Sequence, residues 1–516
     1  MTHSRWALLS VLAASLFAAD SYAQGLRQPA SARQTAYDYE YNNYYSQGDD
    51  STSPSDTVAP PADPAAPPAD AASASCSDAA PTCAAACEPA CGCESSCCDD
   101  GCGCGGGLLT MGGLIDPCCT LGAPNKLFDC CALSSRDVTV AGWIGQSFVW
   151  NTTNPDDRFN GPVTFTDRSN EYQLNQLYLY ADWATSNDGS WDIGGRIDAM
   201  YGTDYRFTTA AGLETEGYYT NPVTNGDHRF YGLAMPQAYA QFRKGDFWVN
   251  VGHFYAPVGY EGVMMTSPTN FFFTHAYTHQ YGEPFTFTGV IANYLVNDVW
   301  TIGGGFTRGW DNWGGGKDYR NPHLGGVVTA TRTLEDAGTL ALSWVFGPEQ
   351  TLEAGYFQQR FLQSIVWTNP LEDDWTFVLQ SDQAFQNDAY GRGGRDAWWY
   401  GLNGYLFKKI SDCWTWGMNA EWFRDEEGVR VGGFLGTDDD GSLRGLSTGR
   451  FGYNGNFYQI SLGANWRPNA NWNVRPAVRF DWYDGNENQF NAEGKPFDDG
   501  NGNSQTLLGF DAIYSY

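Results

Sequence analysis

The sequence predicts an all-β protein, a transmembrane antiparallel up-and-down β-barrel of about 16 strands. Three observations predict it: an export signal, stretches of about ten residues that alternate apolar and polar side chains, and short turns that alternate with long polar segments. The chain has 516 residues, a formal charge of -30 and 16% aromatic residues. So many aromatic rings need an apolar surface to face.

The first 23 residues have the layout of a secretory signal peptide. Arg5 supplies positive charge, Trp6 to Ala19 are mostly apolar, and Ser21-Tyr22-Ala23 is a small-residue cleavage site. Beyond this segment no run of about 18 apolar residues occurs, so strands rather than helices must cross the membrane. The acidic balance also excludes nucleic acid as a partner, because phosphates need clustered Lys and Arg.

Two segments of unusual composition precede the predicted barrel. Residues 24 to 75 are polar and then Pro/Ala-rich, which predicts a disordered linker. Residues 76 to 131 are Cys-rich and hold every cysteine except Cys413. In an exported chain disulfides are expected, with a thiolate metal cluster as the alternative, and Cys413 favours some intermolecular pairing. The barrel is assigned to residues 132 to 516.

Strand alternation is clearest in Trp472 to Tyr483, where one face is apolar with Trp at both ends and the other face is polar. Such a strand has one lipid face and one lumen face, and flanking aromatic residues mark the membrane interfaces. Charged side chains on the lumen face require water, because burying each one away from water would cost several kcal/mol. The predicted pore-lining residues are Arg196, Asp198, Glu421, Asn465, Arg467, Arg475, Arg479 and Asp481.

The connections support the barrel independently, because outer-membrane barrels alternate short periplasmic turns with long external loops. Sixteen strands require an additional strand at Thr351 to Phe361, turned at Pro370 to Asp373; without it the count is 14. An even count leaves both barrel ends, and the Cys-rich arm, in the periplasm. The other short turns lie near Asn187-Asp188-Gly189, Lys244-Gly245-Asp246, Val296-Asn297-Asp298, Glu335 to Gly338, Ser411-Asp412 and Pro468-Asn469-Ala470.

The long segment from Tyr260 to Phe287 is predicted to fold inward and narrow the lumen. Its constriction candidates are Phe272, His275, His279 and Glu283. The two histidines could share one helix face and bind a metal, but the first lacks the adjacent Glu of the H-E-x-x-H protease motif. A constriction or packing role is therefore favoured, and no metal site is predicted.

Other candidate sites are weaker. The acidic loops Asp438 to Ser442 and Asp498 to Asn503 offer oxygen ligands for calcium, but neither completes an EF-hand loop, so solvated loops are favoured and no cofactor is expected. No G-x-S-x-G elbow occurs, so the chain is not expected to be an enzyme. The alternation that ends in Phe510, Tyr514 and Tyr516 is similar to the terminal strand that the barrel assembly machinery recognises.

Several stretches carry a family resemblance: Gly142 to Phe148, Asn160 to Val163, Glu171 to Gln176, Asn270 to Tyr277 and Gln280 to Thr286. Together they resemble the OmpL-like beta-barrel porin family common in planctomycetes, over about residues 126 to 516. The resemblance implies an outer-membrane porin-like barrel and supplies no catalytic residues. It leaves the Cys-rich arm unexplained.

The sequence therefore predicts passive diffusion of small hydrophilic solutes or ions through a polar lumen in the outer membrane. The alternative is a structural envelope barrel, cross-linked through its Cys-rich periplasmic arm. Expected partners are membrane lipid, the assembly machinery and a second copy of the chain in a homo-oligomer. The predicted lumen face mixes Arg with acidic residues, so it leaves the solute and the ion selectivity undetermined.

Overall fold

The structure, a computed structural model, describes most of the chain from residue 119 onward. The described residues are 119–128, 137–156, 158–214, 231–261, 270–314, 321–335, 337–351, 353, 355–431, 453–485 and 495–516.

Sixteen strands form the predicted antiparallel barrel, and each pairs with its neighbours in sequence. The fourth strand has two segments, interrupted around Pro236. The strands are β1 (Val138–Asn151), β2 (Glu171–Trp183), β3 (Trp191–Gly202), β4 (Gly232–Ala234 and Ala238–Lys244), β5 (Phe247–Tyr255), β6 (Thr286–Leu295), β7 (Trp300–Trp310), β8 (Gly325–Leu334), β9 (Gly338–Gln350), β10 (Phe357–Leu371), β11 (Trp375–Gln386), β12 (Ala397–Ser411), β13 (Trp414–Asp425), β14 (Gly455–Asn469), β15 (Trp472–Gly485) and β16 (Ser504–Ser515).

The barrel is closed by antiparallel pairing of β1 with β16, from Trp143 opposite Ser515 to Asn151 opposite Leu507. The count of 16 confirms the first of the two predicted numbers. The bounds of one strand differ from the prediction, because β10 runs over Phe357–Leu371 and Thr351 lies in the preceding loop. Gln350 pairs directly with Phe357, which leaves residues 351–356 to reverse the chain.

The connections at one end of the barrel have two to seven residues and those at the other end have six to 30, so they separate as the sequence predicted, except that 184–190 and 351–356 overlap in length. The chain enters β1 and leaves β16 at the end that carries the short connections, so this end corresponds to the periplasmic side of outer-membrane barrels. The short connections are 184–190, 245–246, 296–299, 335–337, 372–374, 412–413 and 470–471. The longer ones are 152–170, 203–231, 256–285, 311–324, 351–356, 387–396, 426–454 and 486–503.

Exposure alternates along the strands with the predicted phase. In β15, Arg479 and Asp481 are 2% and 1% exposed, whereas Phe480 and Trp482 are 41% and 38% exposed. The apolar face therefore points outward, as a lipid-facing surface requires. The polar face points into the barrel, where other residues bury it. The part of the chain that the structure describes contains no helix with the length and apolarity needed to span a membrane.

The segment 119–128 lies against the short-connection end of the barrel. A disulfide joins Cys119 to Cys413, whose Cα atoms are 6.0 Å apart. The backbone N–H of Ala470 donates to the carbonyl of Leu121 at 2.9 Å. The expectation of intermolecular pairing for Cys413 is thus wrong, because this segment places a cysteine of the same chain beside it.

Several predicted segments lie outside the described residues. They are the signal peptide of residues 1–23, the linker of residues 24–75, most of the Cys-rich segment and the acidic run at Asp438. These assignments stay predictions.

The Cys119–Cys413 link can be tested by peptide mapping of the non-reduced protein. We expect one cross-linked species that joins the Cys119 and Cys413 peptides, and we expect Cys413→Ser to remove it. The variant should retain heat-modifiable migration on gels, because hydrogen bonds between strands, not this link, close the barrel. A free Cys413 thiol in the oxidised protein, with the reduced sample as the control, would contradict the link.

Candidate functional site

Three external loop segments fold into the barrel and bury its polar inner face. They are residues 160–169, 203–210 and 270–285, which we call the lumen insert; almost all of their residues are buried. The sequence predicted only the third segment. The second contains the helical turn Tyr205–Thr208, and the third contains the π-helical turn Thr278–Gly282.

The three segments of the lumen insert bind one another through polar contacts and rings. The Arg206 guanidinium lies 2.8 Å from the Asp167 carboxylate, and each side chain is 1% exposed. The backbone N–H of Thr164 donates to Gln280 at 2.6 Å. Phe165 stacks on Phe207 with ring centroids 4.6 Å apart. The insert is therefore one packed unit rather than three separate loops.

Wall side chains hold the third segment in place. Glu421 of β13 accepts the N–H groups of Tyr277 and Thr278 at 2.7 and 2.5 Å. The Tyr277 hydroxyl donates to Asp481 at 2.9 Å. From β15, Arg475 donates to the carbonyl of Asn270 and Arg479 to the carbonyl of His275. These contacts satisfy backbone groups that would otherwise be buried without partners.

The predicted pore-lining residues all occupy the inner face, but six of the eight are buried, and four of these contact the insert: Glu421, Arg475, Arg479 and Asp481. Arg196, Asp198, Glu421, Arg475, Arg479 and Asp481 are at most 7% exposed, whereas Asn465 and Arg467 are half-buried. The buried charges form ion pairs: Arg196 with Asp198 at 2.7 Å, Arg475 with Asp511 at 2.5 Å and Arg479 with Asp481 at 2.8 Å. These pairs offset much of the burial penalty, so the inward charges do not by themselves require a water-filled lumen.

The constriction candidates lie together in the third segment, and Phe272, His275, His279 and Glu283 are all buried. His275 contacts Glu261 through Nδ1, and His279 contacts Glu283 through Nδ1 at 3.0 Å. The two imidazole rings are 4.6 Å apart.

Burial controls the ionisation of this cluster. It lowers the pKa of His275 to about 4, against the opposing attraction of Glu261, and it raises the pKa of Glu283 to about 8. His275 and Glu283 therefore favour their uncharged forms near neutral pH, whereas the pKa of Glu261 is lowered. Within the described ranges, no three His, Cys, Asp or Glu side chains are arranged to hold a metal ion.

Residues of two other predicted sites, an acidic loop and the C-terminal strand, form hydrogen bonds with other parts of the barrel. Of the acidic loops, Asp499 accepts the N–H of Asp156 at 2.6 Å and so ties the last external loop to the first. Tyr516 exchanges two backbone hydrogen bonds with Gly142, at 2.9 and 3.0 Å, at the barrel seam. Phe510 and Tyr514 alternate with buried Asp511 and Ile513, so they lie on the outer face.

Sequence reasoning missed several residues that contact or flank the insert. Asp167 and Arg206 lie in connections without a motif for inward folding, although 203–231 is about as long as 256–285. Glu261 lies in the connection that was predicted to fold inward but was not singled out there, and the Trp310–Trp399 pair joins strands far apart in sequence. None of these positions has a sequence pattern that distinguishes it, because each contact depends on the closed barrel.

Removing one charge from a buried pair should destabilise the barrel. In Asp511→Asn, Arg475 loses its carboxylate partner, and we expect a loss of about 3–5 kcal/mol. The measurement is the midpoint of urea unfolding in lipid vesicles, with folded protein followed by its heat-modifiable gel migration. Asp484→Asn is the matched control, because Asp484 is exposed and forms no ion pair with the described residues. Equal midpoints for the two variants would contradict the contribution of the Arg475–Asp511 pair.

A glycine on the inner face lets the insert approach the wall. A Cβ added at Gly401 would lie 2.2 Å from the Thr278 hydroxyl oxygen, whereas one added at Gly404 on the same strand meets nothing closer than 3.9 Å. We expect Gly401→Ala to destabilise the protein by about 1–3 kcal/mol through overpacking, and Gly404→Ala to have little effect. The same unfolding measurement tests this, and an unaffected Gly401→Ala would mean that the insert is not seated on β12.

The chain is similar to one family model and to several solved structures. No curated protein matches the chain. Among solved structures, the outer membrane channel DcaP of Acinetobacter baumannii is 12% identical, with a TM-score of 0.46 over 73% of this chain and 97% of that one. OprB of Pseudomonas putida at high pH is 11% identical, with a TM-score of 0.46 over 75% and 96%.

An anion-selective porin from Comamonas acidovorans is 9% identical, with a TM-score of 0.44 over 73% of this chain and 99% of that one. The family model described as "Putative beta-barrel porin-2, OmpL-like" matches residues 137–516, which is the whole barrel from β1 to the last residue. On this match the chain belongs to the OmpL-like beta-barrel porin-2 family, a porin-like family of outer-membrane barrels.

Proposed function

We propose that this barrel conducts small hydrophilic solutes and ions passively across the outer membrane, and that the lumen insert limits their size. One observation carries the proposal: an apolar outer face and a polar inner face surround an insert that non-covalent contacts hold in place. Much of the polar inner face binds the insert, but Asn465 and Arg467 on that face are only half-buried. A solute path needs polar side chains of this kind, because hydrophilic solutes require hydrogen-bonding partners along it.

The narrowness of the path follows from the insert. Trp399 donates to the carbonyl of Gly282 at 3.1 Å, and Gln380 donates to Glu283, so the insert contacts β12 and β11 as well as β13 and β15. Solutes therefore pass beside the insert or pass when it shifts. Either route favours small solutes over large ones.

The N-terminal arm is proposed to lie in the periplasm. The Cys119–Cys413 link holds residue 119 at the end of the barrel that carries the short connections, which supports this placement. Homo-oligomer formation and recognition of Phe510, Tyr514 and Tyr516 by the assembly machinery stay predictions.

The structural alternative loses one of the cysteines of the Cys-rich arm. Cys119 is bonded to Cys413 of the same chain and is not available to a neighbour. Non-reducing gels test the alternative directly, because an envelope cross-linker would run as a ladder that reductant collapses.

The test of the proposed function is single-channel recording of the full-length protein in a planar lipid bilayer. We expect stepwise openings, and a salt gradient would give the sign of ion selectivity from the reversal potential. A folded, heat-modifiable barrel that never conducts would overturn the channel proposal.

The role of the insert can be tested in the same recordings. Glu421→Ala removes the acceptor for two backbone N–H groups of the insert and should loosen it, so we expect larger or more frequent openings. Glu372→Ala is the control: it removes the same charge from an exposed residue in a short turn. Identical conductance in the two variants would mean that the insert does not limit the path.

A further inference from the structure

Two tryptophans and two arginines form a cluster at the external end of the barrel. Trp310 ends β7 and Trp399 lies near the start of β12, and their rings meet edge to face with centroids 6.3 Å apart. Arg360 lies near the start of β10, and Arg430 follows β13. All four residues lie toward the end of the barrel that carries the longer connections; the two tryptophans are buried, and the two arginines are half-buried.

Both guanidinium groups pack on the same indole pair. Arg360 Cζ is 4.7 Å from the Trp310 ring centroid and 6.0 Å from that of Trp399. Arg430 Cζ is 5.2 and 5.0 Å from the same two centroids. Two positive charges are therefore held close together by cation–π contacts. Their mutual repulsion opposes this arrangement unless a negative charge offsets it.

Within the part of the chain that the structure describes, the hydrogen bonds of the two arginines leave some guanidinium N–H groups without an acceptor. Arg360 donates from Nε and Nη2 to Gln386 at 3.2 and 2.8 Å, and Arg430 donates from Nε to the carbonyl of Tyr281 at 2.6 Å. Neither guanidinium forms an ion pair with a carboxylate of the described residues, and both side chains stay partly exposed. The remaining N–H groups are available to a ligand that enters from outside.

Three carboxylates lie in the same region, but each one accepts backbone N–H groups. Glu349 accepts from Trp310 at 3.0 Å, and Asp311 accepts from residues 285 and 286 at 2.8 Å each. Asp425 accepts four N–H groups in the turn from residue 428 to residue 431. Burial and the repulsion of Arg360 lower the pKa of Arg430 to about 9. The three carboxylates attract the guanidinium groups and oppose this shift, so they offset part of the repulsion without forming a direct ion pair with either arginine. An anion that accepts hydrogen bonds from both guanidinium groups would offset more of it.

We propose that Arg360 and Arg430, held on the Trp310–Trp399 pair, form a binding site for a small oxyanion, a carboxylate or a phosphate, at the external entrance. Guanidinium N–H groups match such oxyanions as paired donors, which simple halides cannot use in the same way. As a statement about which solutes are taken up, the inference rests on the proposed channel function. Binding itself requires only the folded barrel.

The first test is calorimetric titration of the full-length protein in detergent at pH 7 and constant ionic strength, with succinate and inorganic phosphate as probes and sodium chloride as background. We expect saturable binding of at least one oxyanion. Binding of succinate alone identifies a carboxylate site and binding of phosphate alone a phosphate site. A wild-type protein that binds neither overturns the proposal without any variant.

The second test uses Arg360→Gln and Arg430→Gln, each confirmed as folded by heat-modifiable migration. We expect oxyanion affinity to fall about tenfold or more in each. Arg392→Gln is the matched control, because Arg392 also lies at the external end, with a side chain that is 73% exposed. A similar loss in all three variants would show attraction by general charge and overturn the site.

Bilayer recordings separate this inference from the channel proposal. If the wild type conducts, the two Gln variants should shift the reversal potential toward cations. A barrel that binds oxyanions in an Arg360- and Arg430-dependent way but never conducts would overturn the channel and leave the site. A barrel that conducts but does not bind oxyanions in this way would overturn the site and leave the channel proposal.

Discussion

The pairing of β1 with β16 removes both free edges of the sheet, and the other features of the molecule depend on that closure. A bilayer offers no hydrogen-bonding partners, so each strand at membrane depth must pair on both sides. Closure also gives every strand an inside and an outside. With a side-chain period of two, alternate residues of β15 then face lipid and lumen along its whole length.

The interior is organised by polar contacts that join the lumen insert to the wall. Arg475 and Arg479 each bind a carboxylate on the wall and a backbone carbonyl on the insert. Glu421 on the wall accepts hydrogen bonds from two backbone N–H groups of the insert. Tyr277 and Tyr281 of the insert also pack against Trp399 and Phe423 of the wall. Polar bonds and apolar contacts together therefore hold the insert inside the barrel.

The external entrance differs from this interior. Each buried arginine of β15 forms an ion pair with its own carboxylate. Arg360 and Arg430 instead pack on two tryptophans and form no ion pair with a carboxylate of the described residues. Local partners thus decide whether an arginine joins the insert to the wall or packs on aromatic rings.

The sequence predicted much of the fold and part of the candidate site. The phase of Trp472 to Tyr483, the short turns and the inward folding of the segment after Tyr260 were all predicted. The inward folding of residues 160–169 and 203–210 was not, and neither was the partner of Cys413. The prediction that inward charges require water was also incomplete, because buried side chains of opposite charge, such as Arg475 and Asp511, compensate each other inside the barrel.

The sequence by itself determined which residues form strands and which face of each strand meets lipid, because these properties follow from a local two-residue period and from turn residues. The tertiary structure alone decided which side chains meet across the lumen: Arg206 with Asp167, Cys119 with Cys413, and two arginines on one tryptophan pair. These partners lie tens to hundreds of residues apart, and only the curvature of a closed sheet brings them together. No local pattern in the chain records that curvature.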